Sequence, residues 1–154
     1  MKPKFKVTDW IKYQSIQPLN WGDSANEIAM YFENAQLEID NSIKTNTPYI
    51  VLDFVEFYFD DDINFKGLNT IIIKCVSINK GVKPSFFNKD WLCNNLSYID
   101  TCKYLKEFKI EYTSEYEKWD INTPIITTKT GQIFVFYDHS IEPECPLHKI
   151  YLQK

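Results

Sequence analysis

With 154 residues, 44% of them hydrophobic and 25% charged, the chain has enough apolar side chain for a packed core and room for one domain or two very small ones. A net charge of −4 and a pI of about 5.2 argue against the basic face of a nucleic-acid binder and suit a basic protein partner. No stretch approaches the ~20 apolar residues of a membrane span.

The first residues, Met1 to Gln14, are basic, but no apolar run follows them, so they do not read as a secretory signal. A soluble cytoplasmic protein is expected, with Cys75, Cys93, Cys102 and Cys145 as free thiols. Asn20-Trp21-Gly22-Asp23 is a turn. Ser24 then stands three before Glu27, the spacing of a capping box, and Ile28, Tyr31 and Phe32 follow at helical intervals. This predicts a helix over about 24–34. Leu37-Glu38-Ile39-Asp40 alternates as a strand does. Further strands are expected at 49–52, 56–60 and 68–73, with the polar loop 61–67 between the last two.

A charged stretch broken by Gly81 and Pro84 marks a linker over 79–84. The same order then returns. Ser97 stands three before Asp100, and Ile99, Cys102, Leu105 and Phe108 share one face of a helix over about 97–108. Strands are expected at 110–112, 125–128, 133–137 and 147–152, with a hairpin turn at Thr130-Gly131. The two cap serines, residues 24 and 97, are 73 apart, as are Leu37 and Ile110. The reading is therefore a single α+β domain over 1–154, made of two tandem helix-then-antiparallel-strand repeats, about 19–78 and 91–153. Their strands would form one long sheet with the helices on one face. Phe57, Phe59, Ile71, Ile73, Phe134, Phe136, Ile150 and Leu152 would face those helices.

The opposite parity defines an open face. It would hold Glu38, Glu56, Tyr58, Thr70, Ile72 and Lys74 from the first unit. The second would add Glu111, Ile133, Val135, Tyr137, Lys149 and Tyr151. Rings among charges are the composition of a contact patch. The alternative is that another segment, such as Trp10-Ile11-Lys12-Tyr13, covers this face. The high aromatic content, 16%, likewise has two readings: contact surface, or the codon usage of a low-GC genome.

Trp21-Gly22-Asp23-Ser24-x-x-Glu27-Ile28 and Asn95-Leu96-Ser97-x-x-Asp100, with the strands after each, resemble two things. One is the β-lactamase-inhibitor-protein type of architecture. The other is the small cytosolic immunity proteins encoded beside bacterial toxins. The resemblance covers about residues 19–152 in layout. The first helix departs from it, ending in Asn34-Ala35 and not in a Gly-Pro-type stop. The resemblance implies a protein that occludes its target and brings no catalytic residues with it.

Other chemistry finds little support in the sequence. With 4 Gly, a phosphate-binding glycine loop is not expected. His139, Cys145 and His148 fall in one stretch, but Pro143 and Pro146 stiffen it and no second ligand pair stands elsewhere, so no metal is expected. Asp60-Asp61-Asp62 with Asn64 lacks the glycine and distal glutamate of an EF-hand loop, and reads as a solvated turn that can show negative charge to a basic partner. No cofactor, nucleic acid or catalytic group is implied. The functional expectation is a cytoplasmic immunity-type protein that binds a cognate toxin with a basic surface through Glu56, Tyr58, Ile72, Glu111, Tyr137, Tyr151 and Asp60 to Asp62. The alternatives are an adaptor or assembly module, and a ligand-binding protein or enzyme with a hidden pocket.

Overall fold

The computed structural model describes residues 4–78, 81, 83–117, 120–138 and 144–154. In chain order they form β1 (Phe5–Lys6), α1 (Thr8–Lys12), α2 (Ala25–Ala29), α3 (Ala35–Lys44), β2 (Ile50–Leu52), β3 (Val55–Asp61) and β4 (Lys66–Lys74). Then come β5 (Phe87–Asn88), α4 (Tyr98–Glu107), β6 (Tyr112–Glu117), β7 (Asp120–Thr128), β8 (Ile133–Phe136) and β9 (Leu147–Gln153). Seven strands make one antiparallel sheet in the order β2-β3-β4-β9-β8-β7-β6, and β1 pairs with β5 in a small parallel sheet. The protein is α+β, as its element pattern leads one to expect.

Both cap serines act as caps. The Ser24 hydroxyl accepts from the Glu27 amide at 3.2 Å, and that of Ser97 from the Asp100 amide at 3.1 Å. The first helix is shorter than expected, however. It stops at Ala29, the chain turns, and Asn34 takes a left-handed φ of +67°. A separate helix, α3, then occupies the segment expected as a strand at Leu37-Glu38-Ile39-Asp40. Four alternating residues fit either period, and here the helical one wins. Ala35, Ile39 and Ser42 lie four and three apart on the buried side, while Leu37 is 68% exposed. Ala, Gln, Leu and Glu favour helix, and the Gln36 amide donates to Asp40 one turn on, at 3.0 Å. Glu38 therefore sits on a helix and does not belong to the sheet face. In the second part Ile110 and Glu111 precede the strand, which starts at Tyr112, after Lys109 turns the chain at a φ of +58°.

The core parity holds across the sheet. Phe57, Ile71, Ile73, Phe134, Phe136, Ile150 and Leu152 are buried at 0–1% exposure, and Phe59 at 5%. Two helices demonstrably lie on this side. Trp10 of α1 meets Phe57 edge-on at 6.5 Å, and Tyr98 of α4 meets Phe136 at 5.1 Å. Trp10 and Ile11 are fully buried, so the N-terminal segment belongs to the core and cannot cover the opposite face. Trp10 also packs against Phe5 and Phe87, and its indole N–H donates to the Gln17 carbonyl at 3.0 Å. The Gln132 amide, buried in the β7–β8 turn, donates to the Trp10 carbonyl at 2.9 Å and so ties α1 to that hairpin.

Two carboxylates organise backbone. Asp53, at a left-handed φ of +56°, accepts from the amides of Ser85, Phe86 and Phe87 at 2.9, 2.7 and 2.9 Å. This holds the approach to β5, whose Phe87 is fully buried. Asp61 accepts from the amides of Ile63 and Asn64 and from the Asn64 side chain, at 2.9–3.1 Å, and shapes the β3–β4 turn. Gly67 closes that hairpin with φ +83°, where a Cβ would come within 3.0 Å of the Asp60 carboxylate.

The hydrogen bonds from Asn64 hold the Asp61 carboxyl below its ordinary 3.8. A depressed folded-state value means that the stabilising effect is complete above the unfolded value and is lost as pH falls through the folded one. Acid unfolding below about pH 4 should therefore be less steep for Asp61→Ala than for the wild type. Superimposable midpoint-versus-pH curves for the two proteins would contradict this role.

Candidate functional site

Alternation leaves the second sheet face free of helix α1 and helix α4, and the strand registers show what it presents. Val51, Glu56, Ile72, Tyr151, Ile133, Thr127 and Thr113 are successive partners across all seven strands. Strand spacing makes this row about 29 Å long. A second row runs Lys74, Lys149, Val135, Ile125 and Glu115. On the other side of the first row, Tyr58 pairs with Thr70 and Thr70 with Gln153. The members of these rows on the five central strands and β2 are half-buried, except Gln153, which is exposed, and those on edge strand β6 are exposed. The face is thus continuous, partly apolar and open to solvent.

Glu56, Tyr58, Ile72 and Tyr151 come together at its centre, as their parity requires. Tyr58 stacks on Tyr49 at 5.0 Å and donates a long hydrogen bond to Glu56 Oε1 at 3.3 Å. Burial, then the neighbouring Glu56 charge, pushes the Tyr58 phenol up to about 12, so it stays protonated and remains a donor. Tyr49 was not among the expected site residues, although it shares the parity of Val51 and could have been found that way. Tyr137 lies just past the end of β8, 38% exposed, with its ring stacked on His148 at 4.8 Å.

Glu111 is separated from this group. It precedes β6 and forms an exposed ion pair with Lys129 at 3.4 Å, five strand spacings or roughly 24 Å from Glu56. Such a pair contributes little. The acidic run Asp60 to Asp62 is at the β3–β4 turn. The Asp61 carboxylate is occupied by the turn amides, and that of Asp60 accepts from Asn69 at 2.8 Å. Asp62 and Ile63 stay exposed beside a groove of about 530 Å³ lined also by Ser42, Ile43, Asn46, Thr47, Pro48 and Phe65. Among the described residues of that lining, Asp62 is the one titratable side chain.

Parity puts Lys74 and Lys149 on the open face, but their direct pairing across β4 and β9 emerges only from the register. Lys149 Nζ lies 5.0 Å from the centre of the Tyr151 ring. His148 is pushed below its ordinary 6.5 by burial and then by Lys149 and Lys74, so it is neutral near pH 7.

Cys75 is fully buried, and burial pushes its thiol up, which disfavours a thiolate nucleophile. His139 lies outside the described residues. Among the described residues no group of three or more His, Cys, Asp or Glu is arranged to hold a metal ion. No helix among them is long and apolar enough to cross a membrane. Comparison with protein-family models, with curated proteins and with solved structures gave no match.

Proposed function

We propose that this protein is a bacterial cytoplasmic immunity-type inhibitor, built of two tandem units, that occludes a cognate toxin with the open face of its sheet. The observation that supports this reading is the continuous half-buried row from Val51 to Thr127, with Ile72 and Tyr151 at its middle and Tyr58 beside them. Tyrosines in such a setting bring large area with few rotors to freeze, and they are the usual energetic anchors of protein interfaces. On this reading the protein acts by steric exclusion and carries out no reaction of its own.

The test is a calorimetric titration against the product of the gene adjacent to the one for this chain. Tyr58→Ala and Tyr151→Ala should each weaken binding by about 2 kcal/mol, roughly 30-fold, as the loss of buried aromatic anchors does. Unfolding midpoints should move little, because both rings remain partly exposed. Unaltered affinity of the double variant would rule out the sheet face as the contact. An adaptor role in place of inhibition would appear as binding without loss of the partner's activity.

A further inference from the structure

Resting on the reading that the open face binds a protein, we infer that the partner presents a carboxylate opposite the Lys74–Lys149 pair and a basic group opposite Glu56. Lys74 and Lys149 are direct cross-strand partners at the junction of β4 and β9, in the middle of the sheet. Like charges placed opposite one another disfavour a strand pair. Among the described residues no carboxylate offsets them: the ion pairs there are Lys103 with Asp100 and Lys129 with Glu111, and neither Lys74 nor Lys149 has a described carboxylate within 4.0 Å. Both side chains are half-buried, so part of their hydration is already lost and an incoming carboxylate would meet two pre-positioned cations. The Tyr151 ring beneath Lys149 holds one of them over the apolar row.

Glu56 stands on β3, one strand from Lys74 and one row away. Strand geometry puts it roughly 10 Å from the middle of the lysine pair. A matching surface therefore needs an acidic and a basic group at about that separation, with apolar or aromatic atoms between them for Ile72 and Tyr151. The whole-chain charge of −4 points to a basic partner. The local pattern is finer than that, since two cations at the β4–β9 junction stand beside Glu56. Such a charge pattern fixes orientation and excludes wrong partners more than it adds affinity.

The experiment uses the full chain and the adjacent-gene product. The double variant Lys74→Gln/Lys149→Gln should bind at least tenfold more weakly, chiefly through slower association at low salt. Its unfolding midpoint should hold or rise, because cross-strand repulsion is relieved; a purely structural role for the lysines predicts a fall. Charge reversal of one partner carboxylate to lysine, combined with Lys149→Glu, should recover affinity lost in either single variant. If the tyrosine variants lose binding while the Gln double variant keeps it, this inference fails and the reading of the face survives. If the tyrosine and lysine variants all bind normally, or the wild type does not bind, the reading of the face fails and this inference with it. Salt-sensitive binding of a short single-stranded oligonucleotide that the Gln substitutions abolish would show that the pair serves phosphates and would overturn the protein-carboxylate assignment.

Discussion

Trp10→Ala is expected to lower the free energy of unfolding by about 3–5 kcal/mol. The ring is fully buried, touches Phe5, Phe57 and Phe87, and satisfies its N–H on the Gln17 carbonyl. Truncation leaves a cavity at the meeting point of α1, β3 and β5, which three separate parts of the chain supply. Because domains of this size are stable by about 5–15 kcal/mol, the loss is a large share of the total. Urea unfolding followed by far-ultraviolet circular dichroism measures it. A change below 1 kcal/mol would show that the N-terminal segment is not part of the cooperative core. Trp10→Phe should cost less, since a ring still fills most of the space.

Asp53→Ala should cost about 3 kcal/mol. Three amides, those of Ser85, Phe86 and Phe87, lose their acceptor together. Hydrogen bonds to a charged group contribute roughly 1.5–3 kcal/mol, and donors left without a partner add their desolvation. The left-handed φ of +56° adds a backbone term, because alanine accepts that conformation less readily than aspartate. Asp53→Gly relieves the second term and not the first, while Asp53→Asn keeps an acceptor oxygen and should be mildest. Hydrogen exchange offers a local reading: the Phe86 and Phe87 amides should lose protection first. Wild-type protection of those amides in Asp53→Ala would contradict the anchoring role.

What could be read from the sequence was whatever a local pattern encodes. Phe57, Ile71, Phe134 and Ile150 alternate with solvent-facing neighbours, and that two-residue period alone assigned them to the core. Ser24 and Ser97 were equally legible, because a cap hydroxyl and the amide that donates to it are three residues apart. Leu37 to Asp40 misled because four alternating residues are too few to separate two periods, and the helix is decided by Ala35 and Ser42 outside that window. The place of Trp10 was hidden for another reason. A five-residue helix has no periodicity to read, and its burial depends on Phe87, far along the chain. The site divides in the same way. Which residues share the open face follows from parity, but the partnership of Lys74 with Lys149 depends on register between strands distant in the chain, and the pairing of Glu111 with Lys129 and the stacking of Tyr137 on His148 depend on register between consecutive strands.

The seam between β4 and β9 also governs how the chain reaches this state. It joins segments separated by about 80 residues, and closing a loop of that length costs on the order of 4 kcal/mol of chain entropy before any contact repays it. The hairpins β3–β4 and β7–β8 are local and can nucleate early, whereas the central ladder is high in contact order and forms late. Until it does, β4 displays an unpaired row of amides and carbonyls flanked by Ile71 and Ile73, an apolar edge that can pair with another chain. Refolding yield should therefore fall with protein concentration far more steeply than native-state solubility does.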